Sequence, residues 1–362
     1  MGAWISVVFK AGWRIIERAV ACIRRPKPWH IGLAETMQIS STESVYPLQA
    51  RHKELFDPAN VDRWFLPELL QAISGWRLSG DPNNLDVESL PNAKVEAPGI
   101  ISFDCLTSQF CDLLLSEVDH YQNSGLPQRA PNSMNNYGLV LNEIGLRSTF
   151  DAVLQRILLG ISARLFGDDS VRLSKLNGLS LQTENWGGST LDDHHTFIVR
   201  YRPDEDTHLD MHVDDCDVTF NFGLSDSTAF GGSDLAFCGM YGQENHRKHM
   251  HFYQHVKGRC VVHSGKRRHG ALRITHGVRS SLIVWCKSHA FRSTADYQIK
   301  SGRRARKEQS LPDLICLSET HDWDYDYMSR KLKGLDQQHA DIQYPSISVP
   351  GSVLLPIPSR RG

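Results

Sequence analysis

The sequence has no excess of one charge, no paired cysteine motif and no long apolar run. Its 362 residues include 40 Lys and Arg against 41 Asp and Glu, for a formal net charge of -1. This balance provides no overall field toward nucleic acid or anionic lipid, so we expect no nucleic-acid partner. The eight cysteines stand singly, without a C-x-x-C pair. Their spacing argues against a disulfide framework or a thiolate zinc site and favours an intracellular, cytoplasmic protein.

The N-terminal segment, residues 1–30, is predicted to be amphipathic. Charged residues interrupt its most apolar part, residues 4–23, and no window holds eighteen uncharged apolar residues as a membrane span requires. Apolar residues recur there at helical spacing. Three interpretations remain: a surface-lying helix or weak membrane anchor, an organellar presequence, or a helix docked on the protein body. Met1-Gly2 followed by Ser6 fits the myristoylation pattern, which supports the first.

The rest of the chain changes from helical to strand-like texture. Residues 31–97 are predicted to be a helical region and linker, and residues 293–362 a C-terminal tail with basic, acidic and Pro/Ser-rich stretches. Helical periodicity occurs at 46–79, 106–121 and 150–165, and period-two runs occur at 197–201, 218–222, 234–237, 259–263 and 281–285. Helices followed by strands, without alternation, predict an α+β chain whose strands form a sandwich or barrel.

Histidine is concentrated in the strand-rich region, where 12 of the 17 lie between His194 and His289. Alternate residues of a strand share a face, so a His-x-Asp pair can present two metal ligands together. The chain has three such pairs, beginning at His208, His212 and His339. His212-x-Asp214 comes just before the predicted strand 218–222, at its entrance, and is therefore preferred. His208-x-Asp210 is the alternative.

A second histidine and an arginine complete the pattern. His269 lies 57 residues after His212, and Arg279 follows ten residues later, just before an apolar strand. Two His and one carboxylate bind iron(II) on one face and leave the other positions open. An arginine nearby can bind a carboxylate through two parallel hydrogen bonds, as a dicarboxylate co-substrate would require.

This order of residues resembles the iron(II)- and 2-oxoglutarate-dependent dioxygenases of the prolyl 4-hydroxylase type. Within them, the sequence most resembles the group named 2-oxoglutarate and iron-dependent oxygenase domain-containing protein 2. The resemblance covers residues 98–292, taken as the dioxygenase domain, and is carried by segments 131–138, 218–224, 231–235, 255–263, 269–271 and 282–285.

The resemblance implies a double-stranded β-helix, or jelly roll, braced by helices, with a helical N-terminal region. It assigns His212, Asp214 and His269 to Fe(2+) and Arg279 to 2-oxoglutarate. It also implies O2 as co-substrate, support by L-ascorbate, and hydroxylation of an unactivated C–H bond with release of succinate and CO2. The substrate is expected to be a protein side chain, with Pro or Lys the first guesses.

One position departs from the prolyl-hydroxylase pattern. These enzymes often carry a tyrosine three residues before the first histidine ligand, and Leu209 stands there in this chain. Tyr201, Thr219 and Asn221 are candidates for the missing co-substrate contact. Cys316 stands alone in the C-terminal region, where animal relatives tend to have several cysteines.

Alternative interpretations are a non-catalytic jelly-roll binding module and a zinc hydrolase, although the hydrolase would leave Arg279 without a role. Single residues near the site are expected to be structural. Residues 266–268 are taken as a solvated turn, Trp285 as part of the core, and the remaining histidines as structural residues.

Overall fold

The computed structural model describes residues 46–79, 87–167, 175–176, 179–180, 184–302 and 310–340. The predicted N-terminal amphipathic segment lies outside these residues. Among the helices that are described, none is long and apolar enough to span a lipid bilayer.

The strands of the described residues form antiparallel sheets. In chain order they are β1 (Lys94–Ala97), β2 (Ile100–Asp104), β3 (Gly138–Val140), β4 (Lys175–Leu176), β5 (Leu179–Ser180), β6 (Asp193–Tyr201), β7 (Leu209–His212), β8 (Val218–Gly223), β9 (Phe230–Gly232), β10 (Leu235–Met240), β11 (His249–Tyr253), β12 (Arg259–Ser264), β13 (Arg267–Ala271), β14 (Ile274–Gly277) and β15 (Arg279–Lys287).

Eight of these strands form a double-stranded β-helix. The larger sheet has the order β1-β2-β12-β8-β15-β6-β3, and the smaller sheet has the order β11-β10-β13-β7. From β6 onward the chain passes repeatedly between the two sheets, with β6, β8, β12 and β15 in the larger and β7, β10, β11 and β13 in the smaller. This interleaving is the jelly-roll arrangement. β4 pairs with β5, and β9 with β14, in separate two-stranded sheets.

The helices precede and follow the jelly roll. The α-helices are α1 (Pro67–Ser79), α2 (Ser108–Gln122), α3 (Arg147–Val153), α4 (Leu159–Phe166), α5 (His289–Arg292), α6 (Ala295–Ser301) and α7 (Tyr325–Ala340). Shorter 3-10 helices span Lys53–Phe56, Pro58–Trp64, Val87–Ser89, Leu141–Ile144, Gly188–Thr190 and Leu314–Cys316. One π-helical stretch, Leu154–Leu158, joins α3 to α4.

The alternating pattern of β8 separates the helix-facing core from the interior of the jelly roll. Phe220 and Phe222 are buried in the same apolar cluster as residues of α1 to α4. Thr219 and Asn221 point to the other face and line the cavity between the sheets. Because successive strand residues face opposite sides, one short sequence supplies both a packing surface and polar cavity residues.

Several sequence predictions are confirmed with adjusted bounds. The three helical stretches and five strand-like runs are present, although residues 46–66 contain only a helical turn at 46–49 and two 3-10 helices before α1 begins. The sequence did not predict the other ten described strands, among them β7, β11 and β13 of the smaller sheet. Those of the smaller sheet carry histidine and arginine, so their sequences do not show the apolar alternation that identifies a strand.

Part of the predicted C-terminal tail is packed against the smaller sheet and the connection after β10. Residues 313–322 contact this sheet: Asp313 accepts from the His249 amide, Ser318 donates to Asp210, and Cys316 is disulfide-bonded to Cys238 of β10. The sequence had suggested that Cys316 stands alone, whereas the structure pairs it with Cys238. A separation of 78 residues made the pairing unreadable from spacing.

The side chain of Thr107 caps the start of α2. The Thr107 hydroxyl accepts a hydrogen bond from the Phe110 amide at 3.2 Å. Replacing Thr107 by Ala removes this acceptor and should lower the free energy of unfolding by about 1 kcal/mol. Urea denaturation measures the change. Ser108→Ala is the matched control, because Ser108 is exposed one position later. Equal stability of the two variants would contradict the cap.

Candidate metal centre

The candidate metal centre lies where β7 pairs with β13. The register places His269 directly opposite His212, and their ring centroids are 4.4 Å apart. Asp214 follows in the loop after β7. One ligand atom from each of His212, Asp214 and His269 lies within 4.8 Å of the other two. The three residues that the sequence selected are therefore brought together and are buried.

Both imidazole rings are held in one tautomer. Nδ1 of His212 lies 2.8 Å from the carbonyl oxygen of Asp210, and Nδ1 of His269 lies 2.9 Å from that of Arg267. A carbonyl oxygen only accepts, so each Nδ1 donates its proton and each Nε2 is left with a lone pair. These Nε2 atoms face Asp214, at 3.4 Å from Oδ1 for His212 and 3.7 Å from Oδ2 for His269. Metal-binding histidines typically donate the proton of their other ring nitrogen to a carbonyl or carboxylate in this way.

Asp214 is oriented by contacts of its own. Its amide donates to the carbonyl of Gly265 at 2.8 Å, and its Oδ2 accepts from the Thr219 hydroxyl at 2.5 Å. Burial alone would raise its pKa, but the neighbouring imidazoles, His269 first, hold the pKa of Asp214 well below its usual value. The carboxylate is ionised at neutral pH and can bind a cation.

Burial keeps the second histidine neutral. Loss of solvent, partly opposed by the charge of Asp214, lowers the pKa of His269 to about 3. A neutral ring with Nδ1 protonated presents the Nε2 lone pair at physiological pH. Two neutral nitrogens and one carboxylate are the donor set expected for iron(II) with positions left open.

Arg279 lies in the same cavity and is fully enclosed. The first residue of β15, it is only 1% exposed, and burial lowers its pKa to about 10, so it stays charged. Its Nη1 donates to the Ser233 carbonyl, and its guanidinium carbon lies 4.6 Å from the centre of the Tyr201 ring. Its Nε has no hydrogen-bond partner in the described part of the chain.

The three tentative co-substrate residues also line this cavity. Tyr201 is buried, and its hydroxyl accepts from Asn135 Nδ2 at 3.2 Å. Asn221 is buried with Oδ1 unpartnered among the described residues, so it can contact a bound molecule. Thr219 is already bonded to Asp214 and positions that ligand. Leu209, at the place of the family tyrosine, contributes an apolar wall.

Two residues close to the centre were missed or left structural by the sequence. Asn135 lies in the loop before β3 and reaches the cavity through Tyr201; its segment carried the resemblance, but no role was given to it. His263 is buried on β12, and its ring centroid is 4.6 Å from that of His269. Its Nδ1 donates to the Ser264 carbonyl at 2.9 Å, which fixes the ring against the ligand. Because side chains alternate between the two faces of a strand, the predicted strand 259–263 could have shown that His263 points inward.

One prediction about neighbouring residues was wrong, and another was incomplete. Arg267 and Arg268 are buried in β13 and are not part of a solvated turn. The backbone carbonyls of Pro98 and Cys316 accept from them, which compensates for the burial of charge. Trp285 is only partly buried and lines the metal cavity, besides packing against the core.

The alternative His-x-Asp pair has another role. His208 is exposed, whereas the carboxylate of Asp210 accepts hydrogen bonds from Ser318 at 2.7 Å and from the hydroxyl of Thr320 at 2.8 Å. Asp210 thus ties the C-terminal segment to the strand of the first candidate ligand. The third pair ends at Asp341, which lies outside the described residues.

Metal binding should depend on the hydroxyl that orients Asp214. Thr219→Val keeps the shape of the side chain and removes its donor, so affinity for Mn2+ or anaerobic Fe2+ should fall about tenfold or more. Isothermal titration calorimetry measures the affinity. Thr275→Val, at an exposed threonine of β14, is the control and should bind as the parent does. Unchanged affinity in Thr219→Val would mean that the hydroxyl does not support the centre.

A family comparison matches the helical part of the chain. Residues 45–170 match the model described as an OGFOD2-like domain. The match begins well before residue 98, where the sequence placed the start of the dioxygenase domain, and it ends before the first candidate ligand. The region predicted as a helical linker therefore includes part of a recognised domain.

Curated relatives cover more of the chain. It is 33% identical over 262 residues to 2-oxoglutarate and iron-dependent oxygenase domain-containing protein ICU11 of Arabidopsis thaliana, covering 69% of this chain and 58% of the relative. It is 31% identical over 242 residues to 2-oxoglutarate and iron-dependent oxygenase domain-containing protein 2 of Homo sapiens, covering 67% and 63%. The chain therefore spans about three fifths of the length of these relatives.

Solved structures with similar folds include two prolyl 4-hydroxylases. That of Pseudomonas putida is 17% identical with a TM-score of 0.36, covering 53% of this chain and 93% of its own. That of Phytophthora capsici is 13% identical with a TM-score of 0.39, covering 74% and 87%. These TM-scores are too low to support an argument, so the fold assignment rests on the strand pairing described above. On its sequence relationships, the chain carries an OGFOD2-like domain over residues 45–170 and is similar, over about two thirds of its own length, to 2-oxoglutarate and iron-dependent oxygenase domain-containing proteins.

Proposed function

We propose that the chain is an iron(II)- and 2-oxoglutarate-dependent dioxygenase that hydroxylates an unactivated C–H bond, most simply of a protein side chain. The observation that carries this proposal is the convergence of His212, Asp214 and His269 beside a fully buried arginine. When bound, iron(II) would activate O2, which is the oxidant: one oxygen atom would go to the C–H bond of the substrate and the other to 2-oxoglutarate, which would leave as succinate and CO2. The protein supplies geometry, charge and a cavity shielded from water.

The donor atoms of the ligand set, and the way in which they are oriented, suit iron(II). Two Nε2 lone pairs and one ionised carboxylate face a common point, and each imidazole is held by a backbone carbonyl. Three protein ligands on one side leave positions for a chelating co-substrate and a gas molecule. A structural zinc site would instead use four protein ligands.

The polar atoms around Arg279 fit a carboxylate. A buried guanidinium with Nε unpartnered among the described residues needs an anion, because an uncompensated buried charge is costly. Asp234 acts on it electrostatically but forms no ion pair with it in the described residues. We propose that Arg279 binds the far carboxylate of 2-oxoglutarate, with Tyr201 below the guanidinium plane and Asn221 as a further contact.

The cavity wall has a complementary task. Phe197, Leu235 and Ile283 surround the polar residues with apolar surface. Such walls exclude water and strengthen the electrostatic contacts within. We also propose, from the family resemblance, that L-ascorbate supports sustained turnover and, from the scattered cysteines of the sequence, that the protein works inside the cell.

Removal of a metal ligand tests the activity itself. Purified protein with iron(II), 2-oxoglutarate and ascorbate should form succinate slowly without substrate, and His212→Ala should reduce this rate to the background of the protein-free reaction. Succinate is measured by mass spectrometry. Equal rates in variant and parent would refute the dioxygenase proposal and favour the non-catalytic binding module.

Arg279 separates co-substrate binding from the metal. Arg279→Leu should raise the KM for 2-oxoglutarate about 100-fold, the loss expected for a buried, charge-assisted contact of about 3 kcal/mol. Arg279→Lys keeps the charge but loses the planar guanidinium, so its KM for 2-oxoglutarate should lie between those of the parent and Arg279→Leu. Arg273→Leu, at an exposed arginine six positions earlier, is the control. A normal KM in Arg279→Leu would assign the carboxylate to another residue.

A further inference from the structure

A large cleft adjoins the candidate metal centre. It encloses about 1060 Å³, and His212, which also lines the metal cavity, forms part of its wall. One side is formed by the connection after β10, including Tyr241 and Arg247, and the other by the C-terminal segment 310–330. The cleft exceeds the roughly 300–1,000 Å³ of ordinary small-molecule pockets. Its contact with His212 makes it a route by which a large molecule can approach the metal.

The C-terminal wall is firmly attached. Arg247 forms two hydrogen bonds with Asp324, at 2.7 and 3.2 Å, and Arg268 bonds Asp322 at 2.5 Å. The disulfide between Cys316 and Cys238 adds a covalent link to the smaller sheet. These residues are all largely buried, so the wall keeps its position without a ligand.

Asp210 joins this wall to the metal ligand. Its backbone carbonyl accepts from Nδ1 of His212, while its side chain accepts from Ser318 and Thr320. The two groups belong to one residue of β7. The position of the wall is therefore fixed relative to the metal centre by direct hydrogen bonds.

The charges that line the cleft largely cancel. Arg247 and Arg268 are bound by Asp324 and Asp322, so their guanidinium groups are not available to phosphates. A nucleic-acid strand would require unpaired cations along its backbone. The cleft thus suits a molecule of low charge density, such as a polypeptide.

Exposed aromatic side chains stand on the anchored wall. Trp323 is 97% exposed and lies between Asp322 and Asp324, whose side chains are both engaged in ion pairs. Tyr327 is 61% exposed on the first turn of α7 and lines the same cleft. Exposed aromatic groups on a rigid support are typical of binding hot spots, because a partner buries a large apolar area at little entropic cost.

We propose that this cleft binds an extended segment of a protein substrate, with an apolar or aromatic side chain of that segment covering Trp323 and Tyr327. The proposal rests on the proposed function and names its substrate class. The neighbouring part of the segment then passes His212, and the residue to be hydroxylated enters the cavity. The C-terminal region, rather than the jelly roll alone, selects the substrate.

Peptide binding to the full chain tests the cleft without relying on turnover. An immobilised library of 12-residue peptides with a central Pro or Lys is screened against Mn2+- and 2-oxoglutarate-loaded protein, and the Kd of the best labelled peptide is measured by fluorescence polarisation. Trp323→Ala should raise this Kd at least tenfold, and Trp323→Phe should raise it less. Phe252→Ala is the matched control, since Phe252 is 44% exposed on β11 and outside the cleft lining.

Several results would overturn the proposal. These are a Kd within twofold of the parent in Trp323→Ala, an equal loss in Phe252→Ala, or no library peptide bound by the parent. Binding of a 20-nucleotide single-stranded RNA in place of peptides would also overturn it. Thermal unfolding verifies that each variant folds, and Tyr327→Ala replaces Trp323→Ala if that variant does not.

Parallel measurement of succinate formation by the parent keeps the two proposals apart. Turnover of 2-oxoglutarate without peptide binding would overturn only the cleft. Trp323-dependent peptide binding by a chain that forms no succinate would support the cleft and refute the dioxygenase.

Discussion

The antiparallel pairing of β7 with β13 is the constraint on which the candidate site depends. Backbone hydrogen bonds set His212 opposite His269 across the smaller sheet, and each ring is then fixed by a carbonyl two residues earlier in its own strand. The same arrangement occurs on both strands, so neither histidine needs another side chain to set its tautomer. Because side chains alternate with a period of two, a shift of one residue would turn one ring away from the cavity.

The larger sheet supplies the remaining groups and the surroundings that tune them. β8 presents Thr219 to Asp214, and β15 begins with Arg279 at the edge of the cavity. The opposite faces of these strands pack against the helices, so the interior is enclosed from outside. That enclosure keeps His269 neutral. The pKa of Asp214 lies below its usual value, so this carboxylate is ionised at the same pH. One fold thus prepares neutral and charged donors side by side.

The C-terminal segment gives this jelly roll an additional wall. Its attachment uses groups that also border the centre: Asp210 beside the first histidine, and Arg268 beside the second. Strands β7 and β13 therefore both carry the candidate metal ligands and hold the C-terminal wall of the cleft. Movement of the wall would act on both.

The sequence by itself determined much of the chemistry. The order of His212, Asp214, His269 and Arg279 was readable because the ligand types are local and their spacing resembles that of a known family, although Asp214 lies in the loop after β7 and not on a shared strand face. The helical stretches and the apolar strands were also readable, since their hydrophobic periods are strong. Thr219 and Asn221 could be selected as polar residues of one strand face, and the structure gives them different partners.

Only the tertiary structure decided how distant residues meet. The smaller sheet carries the buried arginines Arg267 and Arg268, whose charges are compensated by carbonyls and a carboxylate far away in the chain. The partners of Arg268, Asp210 and Cys316 lie at least 48 residues away. Such contacts leave no periodic signal, because they depend on which surfaces the folded chain brings together. For that reason the sequence showed only that the C-terminal stretch 321–326 is acidic, and its place in the wall of a cleft beside the metal centre emerged only from the fold.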